Sequence, residues 1–579
     1  MSYLASSHLV RPLLHSLLTT GLLALTACGG GGSSNSPAAP TTPPEASAQR
    51  EAPAPFWTED APIRPSLAHM FAANTGTGGT VISLSADEKQ QVQVAAAHQR
   101  TEQAMALPSA VAVQRRTVTG LYSDSFHTTA GVTQQPFDLS LGTVVEALAP
   151  VAGGGFETIP ATAKRADGSY LINGVPEGAH WVHIGSTYVW TSGSFIDWGS
   201  DAFGRPDIVY ANNPTMLTVN ASNLGAWQAN DNLAWAVPMQ GTSFALTLTS
   251  PFITNPPAVG DTALGDFSLD FGITAAGDGL FIPLLSAAKG DQAYLNQLGT
   301  SSGTDYRTLV KSLVLPALTQ TDGTPGALNS GFVDIDQSGS LRLKWDRPAF
   351  ISHVSELNPT ALATSDVLGL STSALAPSYG VPSDAFSLFE FNTFGSTALD
   401  FGRVHYGSPF PADWTQILES YVGFTVRYMA PGATVALPFE RFMYGVDLVP
   451  TGADPSLNVR PRMSPVLSPR INGKTLFANQ LAVGTSPHFS WQVPAVGTPD
   501  RYLLTLRRLV AVGPRSSSRF VARFYSSDTS MDIPPGLLQP GEVYFLTISA
   551  IAAGSPLSAP LRSQLPYSFA TMMSALISP

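Results

Sequence analysis

The chain has 579 residues, and its 30 Lys and Arg residues against 41 Asp and Glu residues give a formal net charge of −11 and a pI near 5.3. This acidic balance, without any run of Lys or Arg, excludes nucleic acid as an expected partner, because phosphates require a basic face. Charged residues make up 12% of the chain, hydrophobic residues 44%, and Gly and Pro number 51 and 47, which favours a folded all-β protein outside the cytoplasm over a disordered one.

The first feature along the chain is a leader that ends at the single cysteine. Residues 1–27 combine Arg11 with a leucine-rich run that is too short and too polar to remain as a membrane span. The tetrad "LTAC" ending at Cys28 resembles the lipobox of bacterial lipoproteins, in which the cysteine is acylated and becomes the mature N-terminus. The alternative is an ordinary signal peptide followed by a chance cysteine. The resemblance implies a lipid bilayer as partner through acylated Cys28. In that family an Asp directly after the cysteine is the usual signal for retention in the inner membrane. Because Cys28 is not followed by Asp, the resemblance implies the outer membrane, at its periplasmic face or at the cell surface.

The segment after the cysteine has the composition of a tether. Residues 28–65 begin rich in Gly and Ser and continue rich in Pro, Ala and Thr, which predicts a flexible and then stiffer linker. If Cys28 is lipidated, no disulfide is available, and the folded part must be held together by core packing.

One helix is predicted in the N-terminal segment, residues 66–114. Ser85 followed by Glu88 has the spacing of a capping box, and the residues after them are strong helix formers. The pattern runs to Leu107, before Pro108. Its apolar face is thin, so we expect a surface helix or a spacer.

Residues 115–190 change to a period of two, typical of strands. The stretch "ADGSYLINGVPEGAHWVHIG" resembles the carboxypeptidase regulatory-like family, whose members are small sandwiches of the transthyretin type. Asp167-Gly168 is expected to make a turn. On the last strand, Val182 and Ile184 should face the core of the sandwich, and Trp181 should point to the opposite side. In that family the sandwich is an accessory module without catalytic residues.

The central region, residues 191–460, is rich in strand patterns but matches no family with a known function. A large sandwich is the preferred interpretation, and a propeller is the alternative, although no fixed repeat supports it. The stretch "TDYRTLVKSLV" predicts a short helix that ends before Pro316. Its apolar residues on one helical face are Tyr306, Leu309, Val310 and Leu313.

The C-terminal region, residues 461–579, resembles a fibronectin type III domain. The strand-like pieces "HFSWQVP", "RYLLTLRRL", "RFVARFYSS" and "VYFLTISAIA" follow one another at suitable spacing. "LLQPGEVY" matches the family's tyrosine corner, in which the hydroxyl of Tyr544 would bond to upstream backbone. Trp491 would be the core tryptophan of the second strand.

Three motifs have the form of chemical sites, but each has a structural interpretation that we prefer. Residues 299–303 satisfy G-x-S-x-G, yet no buried strand of the required kind precedes them. His180 and His183 point to opposite faces of a strand, so they cannot share a metal ion. Residues 334–339 resemble the start of a calcium loop, but Trp345 stands where the bidentate Glu belongs, and a hairpin turn is expected. We therefore expect no catalytic residue, no metal and no cofactor.

Aromatic residues are concentrated just after the first predicted sandwich. The four that matter are Trp181, Tyr188, Trp190 and Trp198. Their rings could stack on sugars or anchor a protein partner, or they could close the junction with the central domain. We favour the junction, with Trp181 at its edge as the ligand contact.

These observations predict an all-β, multidomain chain of immunoglobulin-like sandwiches with a larger central β-rich domain and one short N-terminal helix. The first functional hypothesis is a membrane-anchored, non-enzymatic surface or envelope lipoprotein that presents β-sandwich modules for binding or adhesion, with a protein or glycan as partner. The alternative is a secreted hydrolase of glycan or protein polymers, with the central domain as its catalytic part.

Overall fold

The computed structural model describes residues 79–98, 114–152, 154–246, 248, 253–272, 282–300, 306–382, 385–451 and 455–579. Strands dominate these ranges, so the all-β class is confirmed. No helix within them is both long and apolar enough to cross a membrane. The leader, Cys28 and the tether lie outside the described residues.

The described chain begins with a short strand and the expected helix, β1 (Val81–Ile82) and α1 (Ala86–His98). Ser85 donates its N–H to Glu88 Oε2 at 2.7 Å, and Glu88 donates its N–H to Ser85 Oγ at 3.2 Å. This reciprocal pair satisfies two donors that a helix start leaves open, so the predicted capping box is confirmed. The predicted end of the helix at Leu107 lies outside the described residues.

The first sandwich contains the strands β2 (Arg115–Leu121), β3 (Ser123–Thr128), β4 (Gly131–Pro136), β5 (Val145–Pro150), β6 (Phe156–Pro160), β7 (Ala163–Lys164), β8 (Ser169–Pro176), β9 (His180–Ile184), β10 (Thr187–Thr191), β11 (Phe195–Asp197) and β12 (Asp201–Phe203). An outer sheet of order β11-β2-β8-β7 packs on β6-β5-β9-β10. Val182 and Ile184 face this core, as predicted. Because β11 and β12 pair with β2 and β3, this unit extends beyond the expected end at residue 190.

The central region holds two sandwiches where one large domain was expected. The second sandwich consists of β13 (Met216–Ser222), β14 (Asn232–Val237), β15 (Thr242–Ala245), β16 (Ile253–Thr254), β17 (Leu264–Asp270), β18 (Tyr294–Thr300), β19 (Arg307–Val314), β20 (Gly326–Gly331) and β21 (Val333–Asp334). Its outer sheet, β16-β17-β13-β20, packs on β15-β14-β18-β19 around a core of its own.

The third sandwich contains β22 (Gly339–Trp345), α2 (Arg347–Ile351), α3 (Val354–Leu357), β23 (Leu362–Ser373), β24 (Phe386–Phe391), β25 (Leu399–Tyr406), β26 (Thr415–Tyr428), β27 (Leu437–Leu448) and β28 (Ser456–Val459). The outer sheet β25-β22-β28 packs on β24-β23-β26-β27. β21 pairs with β19, whereas β22 pairs with β25 and β28. The expected hairpin over residues 334–339 is therefore wrong, and this segment links two sandwiches.

The fourth sandwich contains β29 (Leu467–Ile471), β30 (Lys474–Thr475), β31 (His488–Gln492), β32 (Arg501–Val512), β33 (Arg515–Ser526), β34 (Ser530–Asp532), β35 (Val543–Ala552) and β36 (Tyr567–Met573). The sheet β30-β29-β31-β34 packs on β33-β32-β35-β36. Trp491 is buried in the core beside Tyr502. Tyr544 Oη accepts the N–H of Gln539 at 2.8 Å, so the predicted contact with upstream backbone is present.

The inner sheets of the four sandwiches join edge to edge. β10 pairs with β33, β36 with β27, and β24 with β19. In the described part of the chain these pairings yield one 18-stranded sheet. Because strand pairing links the first sandwich to the fourth, the fourth to the third and the third to the second, the four sandwiches are joined by backbone hydrogen bonds as well as by the chain.

The helix predicted over residues 304–314 is wrong. From Arg307 onward this segment is β19, paired with β18 along its length. Thr308, Leu309, Ser312 and Leu313 are buried, which is possible because the strand is covered on both faces. A strand enclosed on both faces loses its alternation, and its chance spacing of apolar residues then imitates a helix.

Candidate binding site

The aromatic cluster lies between the first and fourth sandwiches. The ring of Trp181 lies 6.3 Å from Tyr188, 5.1 Å from Trp190 and 5.5 Å from Phe524, measured between centroids. Phe524 belongs to β33, which pairs in parallel with β10. The cluster is therefore a junction, but the expected partner, the central domain, is wrong, since the fourth sandwich supplies the opposing surface.

Burial decides what these aromatics can do. Trp181 is 0% exposed and Tyr188 is 6% exposed, so the expectation that Trp181 contacts a ligand is wrong in this folded state. Trp198 is 2% exposed and donates its indole N–H to Tyr170 Oη at 3.0 Å, which places it in the core of the first sandwich. Trp190 alone among the four keeps a partly exposed ring, and its indole N–H is donated to Asp528 at 3.0 Å.

A charged junction connects three of the sandwiches. Arg562, from the fourth, lies 2.8 Å from Asp197 and 2.7 Å from Asp201, both from the first. Asp201 also lies 2.7 Å from His127 Nε2, and the His127 ring stacks on Tyr379 of the third sandwich with centroids 3.9 Å apart. These side chains therefore contact residues of another sandwich, which favours a role in holding the sandwiches together.

The two histidines that resemble a metal pair have separate partners. His180 Nδ1 lies 2.9 Å from the carbonyl of Gly178, while His183 Nδ1 lies 3.2 Å from Glu146. Among the described residues no group of three or more His, Cys, Asp or Glu side chains is placed to hold a metal ion. For the G-x-S-x-G motif, Gly299 and Thr300 lie at the end of β18, and residues 301–305 lie outside the described residues.

A polar cleft lies where the second sandwich meets the third. Its volume is about 150 Å³. The described residues that line it are Asn230, Thr300, Arg307, Asn392 and Thr393. β19 and β24 position the two sides, because Arg307 pairs with Glu390 and the cleft residues Asn392 and Thr393 follow directly after β24.

Arg307, the one charged residue among the described cleft residues, belongs to an ion pair. Arg307 lies 3.3 Å from Glu390 and donates a second hydrogen bond to the carbonyl of Asn230 at 3.1 Å. Glu390 is 1% exposed, and burial raises its pKa although the guanidinium of Arg307 opposes the shift. Arg307 is thus a paired cation and not a free one, and the other described residues that line the cleft carry amide and hydroxyl groups.

Sequence reasoning missed this cleft for a physical reason. Arg307 was placed on a helix, and its neighbours in space come from segments 77 to 83 positions away. No local pattern marks residues that meet only when two sandwiches share a sheet. The Asn-Thr pair at 392–393, directly after a buried aromatic strand, is the one signal that could have indicated an exposed polar end.

Comparisons with known proteins add little. No family model and no curated protein matches this chain. Among solved structures, the chain is similar to "The Bacillus anthracis TIE protein", at 10% identity over 76% of this chain and 70% of that chain, with a TM-score of 0.10. A TM-score this low carries no argument about fold or function.

Proposed function

We propose that this chain is a lipid-anchored, non-enzymatic lipoprotein of the outer membrane that binds a glycan in the polar cleft between its second and third sandwiches. The observation that carries the proposal is the cleft itself, whose described lining residues are Asn230, Thr300, Arg307, Asn392 and Thr393. Amides and hydroxyls both donate and accept hydrogen bonds, which is what a ring bearing several hydroxyl groups requires.

The charge of the cleft favours a neutral glycan over an anionic ligand. Arg307 is already paired with Glu390, and the chain as a whole carries a net charge of −11. A phosphate or a polyanion would therefore find no excess of positive charge there.

The strand pairing beside the cleft supports a binding role. Arg307 and Thr308 of β19 pair with residues of β24, so this part of the site is held in place before a ligand binds. We also propose that the first and fourth sandwiches are the carboxypeptidase regulatory-like and fibronectin type III-like modules of the sequence analysis. Their two-sheet strand orders and the Tyr544 hydrogen bond support this assignment.

Glycan hydrolysis is the competing function and makes a different structural demand. A glycosidase places two carboxyl groups on either side of the scissile bond, roughly 5 to 9.5 Å apart. None of the described residues that line the cleft is a carboxylate. Glu390 is not one of these lining residues, and its carboxyl group lies 3.3 Å from Arg307.

Binding is tested with the full chain carrying Cys28→Ser, screened against an array of neutral and acidic saccharides. We expect neutral saccharides to bind, and Asn392→Ala and Asn230→Ala each to weaken the best hit about tenfold, the value of one or two hydrogen bonds. Asn329→Ala is the matched control, because Asn329 lies on β20 in the opposite sheet of the same sandwich. Absence of any saccharide binding would refute the proposal, and release of shortened saccharides would establish the hydrolase instead.

The anchor is tested separately by cell fractionation. We expect the wild-type chain in the outer-membrane fraction and Cys28→Ser either in the soluble fraction or unprocessed. A Cys28→Ser protein that is processed and membrane-bound like the wild type would show that the lipoprotein assignment is wrong.

A further inference from the structure

Strand β4 is an exposed edge of the first sandwich. It forms a hairpin with β3, and β3 lies between β12 and β4 in a three-stranded sheet. All six residues of β4 are exposed. Within the described residues, no strand pairs with the other side of β4.

The register shows which backbone groups that side carries. Ser125 donates its N–H to the carbonyl of Ser200 at 2.8 Å, and the carbonyl of His127 accepts the N–H of Gly204 at 2.8 Å. Residues 125 and 127 thus direct their backbone groups toward β12 and away from β4. Their partners on β4 are Gln134 and Val132, and since antiparallel pairs alternate, those two residues direct N–H and C=O outward.

This edge lacks the devices that keep sheet edges apart. Charged side chains, internal prolines and bulges normally block edge pairing. β25, another edge strand, carries Asp400 and Arg403. β4 reads Gly-Val-Thr-Gln-Gln-Pro, with its single proline at the last position, and it pairs with β3 without a bulge.

We propose that β4 pairs with the β4 strand of a second copy of this chain, antiparallel, with the two-fold axis beside Thr133. In this register Val132 of each copy forms a hydrogen-bonded pair with Gln134 of the other, so all four outward N–H groups and their acceptors are satisfied. The two Thr133 residues then lie directly opposite each other, a favourable cross-strand pair. The identical patch on both copies satisfies the rule for a two-fold interface.

The uncharged hairpin permits a second copy as the occupant despite the net charge. With a net charge of −11, two copies repel each other over most orientations. The hairpin from Thr128 to Pro136 carries no charged residue, so two copies can approach there without repulsion. Because the contact is small, the dimer is weak, and association is measured at protein concentrations up to about 1 mM.

Disulfide trapping tests the register directly. Cys28 is the single cysteine of the chain, so in the full chain carrying Cys28→Ser an added cysteine is the sole thiol. Directly opposite residues in a non-hydrogen-bonded antiparallel pair have Cα atoms about 4.5 Å apart, which is within disulfide range. Thr133→Cys should therefore form a covalent dimer under mild oxidation.

Gln135→Cys is the matched control. In the proposed register it faces Gly131 of the other copy, so the two introduced thiols lie about 13 Å apart along the strands. We expect at least tenfold less covalent dimer than with Thr133→Cys. Equal trapping of both variants would indicate random collision, and no trapping of Thr133→Cys would exclude the pairing; either result overturns the proposal.

Sedimentation velocity provides the second measurement. Gln134→Pro removes an outward N–H while leaving the inward pairing with β3 in place, and Gln134→Ala removes only the side chain. Both variants lose the hydrogen bonds between the Gln134 side chain and the buried Ser123 and Ser125, so Gln134→Ala is the reference for stability. We expect Gln134→Ala to associate as the wild type does and Gln134→Pro to sediment as a monomer with the melting temperature of Gln134→Ala. A wild-type chain that stays monomeric, or a Gln134→Pro variant that still associates, would show that this edge does not pair with a second copy.

Discussion

Trp181→Ala should destabilise the protein severely instead of weakening a ligand contact. The side chain is 0% exposed and is enclosed by Tyr188, Trp190 and Phe524. Truncating a buried tryptophan to alanine costs about 3 to 5 kcal/mol through lost transfer free energy and the cavity left behind. Its indole N–H has no hydrogen-bond partner among the described residues, so no hydrogen bond is lost. We therefore expect a loss of about 4 kcal/mol in the free energy of unfolding.

The measurement is guanidinium denaturation followed by circular dichroism, with two comparison variants. Trp181→Phe keeps an aromatic ring in the cluster and should lose about 1 to 2 kcal/mol. Trp190→Ala removes a partly exposed ring and one hydrogen bond to Asp528, for a loss of about 2 kcal/mol. A loss below about 1 kcal/mol for Trp181→Ala would refute the burial argument, because no well-packed buried tryptophan is removed so easily.

Three further predictions concern individual contacts and pH. Tyr544→Phe should lower the free energy of unfolding by about 1 to 2 kcal/mol in thermal or chemical denaturation, because the N–H of Gln539 loses its acceptor; no loss would count against this contact. Arg562→Ala should lower the free energy of unfolding by about 2 kcal/mol, since it leaves two partly buried aspartates without their cation. The control Arg460→Ala removes an exposed pair and should lower it by less than about 1 kcal/mol. Equal losses would contradict a structural role for the charged junction. Burial raises the pKa of Asp366 to about 6, above its unfolded value near 3.9, so its stabilising contribution is complete below about pH 4 and is lost as the pH rises through 6. The denaturation midpoint should therefore be higher at pH 5 than at pH 8, and a flat or opposite profile would show that this carboxyl does not govern the trend.

Local patterns predicted the parts of the fold that depend on local physics. The capping box at Ser85 formed because the helix start needs acceptors wherever it lies. The alternation along β9 placed Val182 in one core and Trp181 in another, since successive side chains of any strand point to opposite faces. The contact of Tyr544 also depends on a turn five residues long.

What the sequence did not reveal is the pairing between sandwiches. β19 lies between β18 and β24, and its contact with β24 belongs to a different sandwich. A strand that is covered on both faces and both edges shows no alternation, so Arg307 on it was assigned to a helix. The aromatic junction was expected from composition, but its partner Phe524 lies more than 300 residues away along the chain, and nothing in either segment specifies the other.

One rule about sheet edges explains both the fused body and the proposed dimer. The exposed backbone groups of an unpaired strand edge favour pairing with another strand. In the described part of this chain, edge strands of neighbouring sandwiches pair with each other at three boundaries, through β10, β36 and β24. Charged side chains on edge strands prevent association between sheets. Because only 12% of the residues are charged, pairing within the chain covers edges that charge would otherwise keep apart. Among the described residues, β4 lies in a hairpin outside the fused sheet, pairs with β3 on one side only, and carries no charged side chain. The same deficit of charge that favours fusion within the chain therefore leaves this edge available to a second copy.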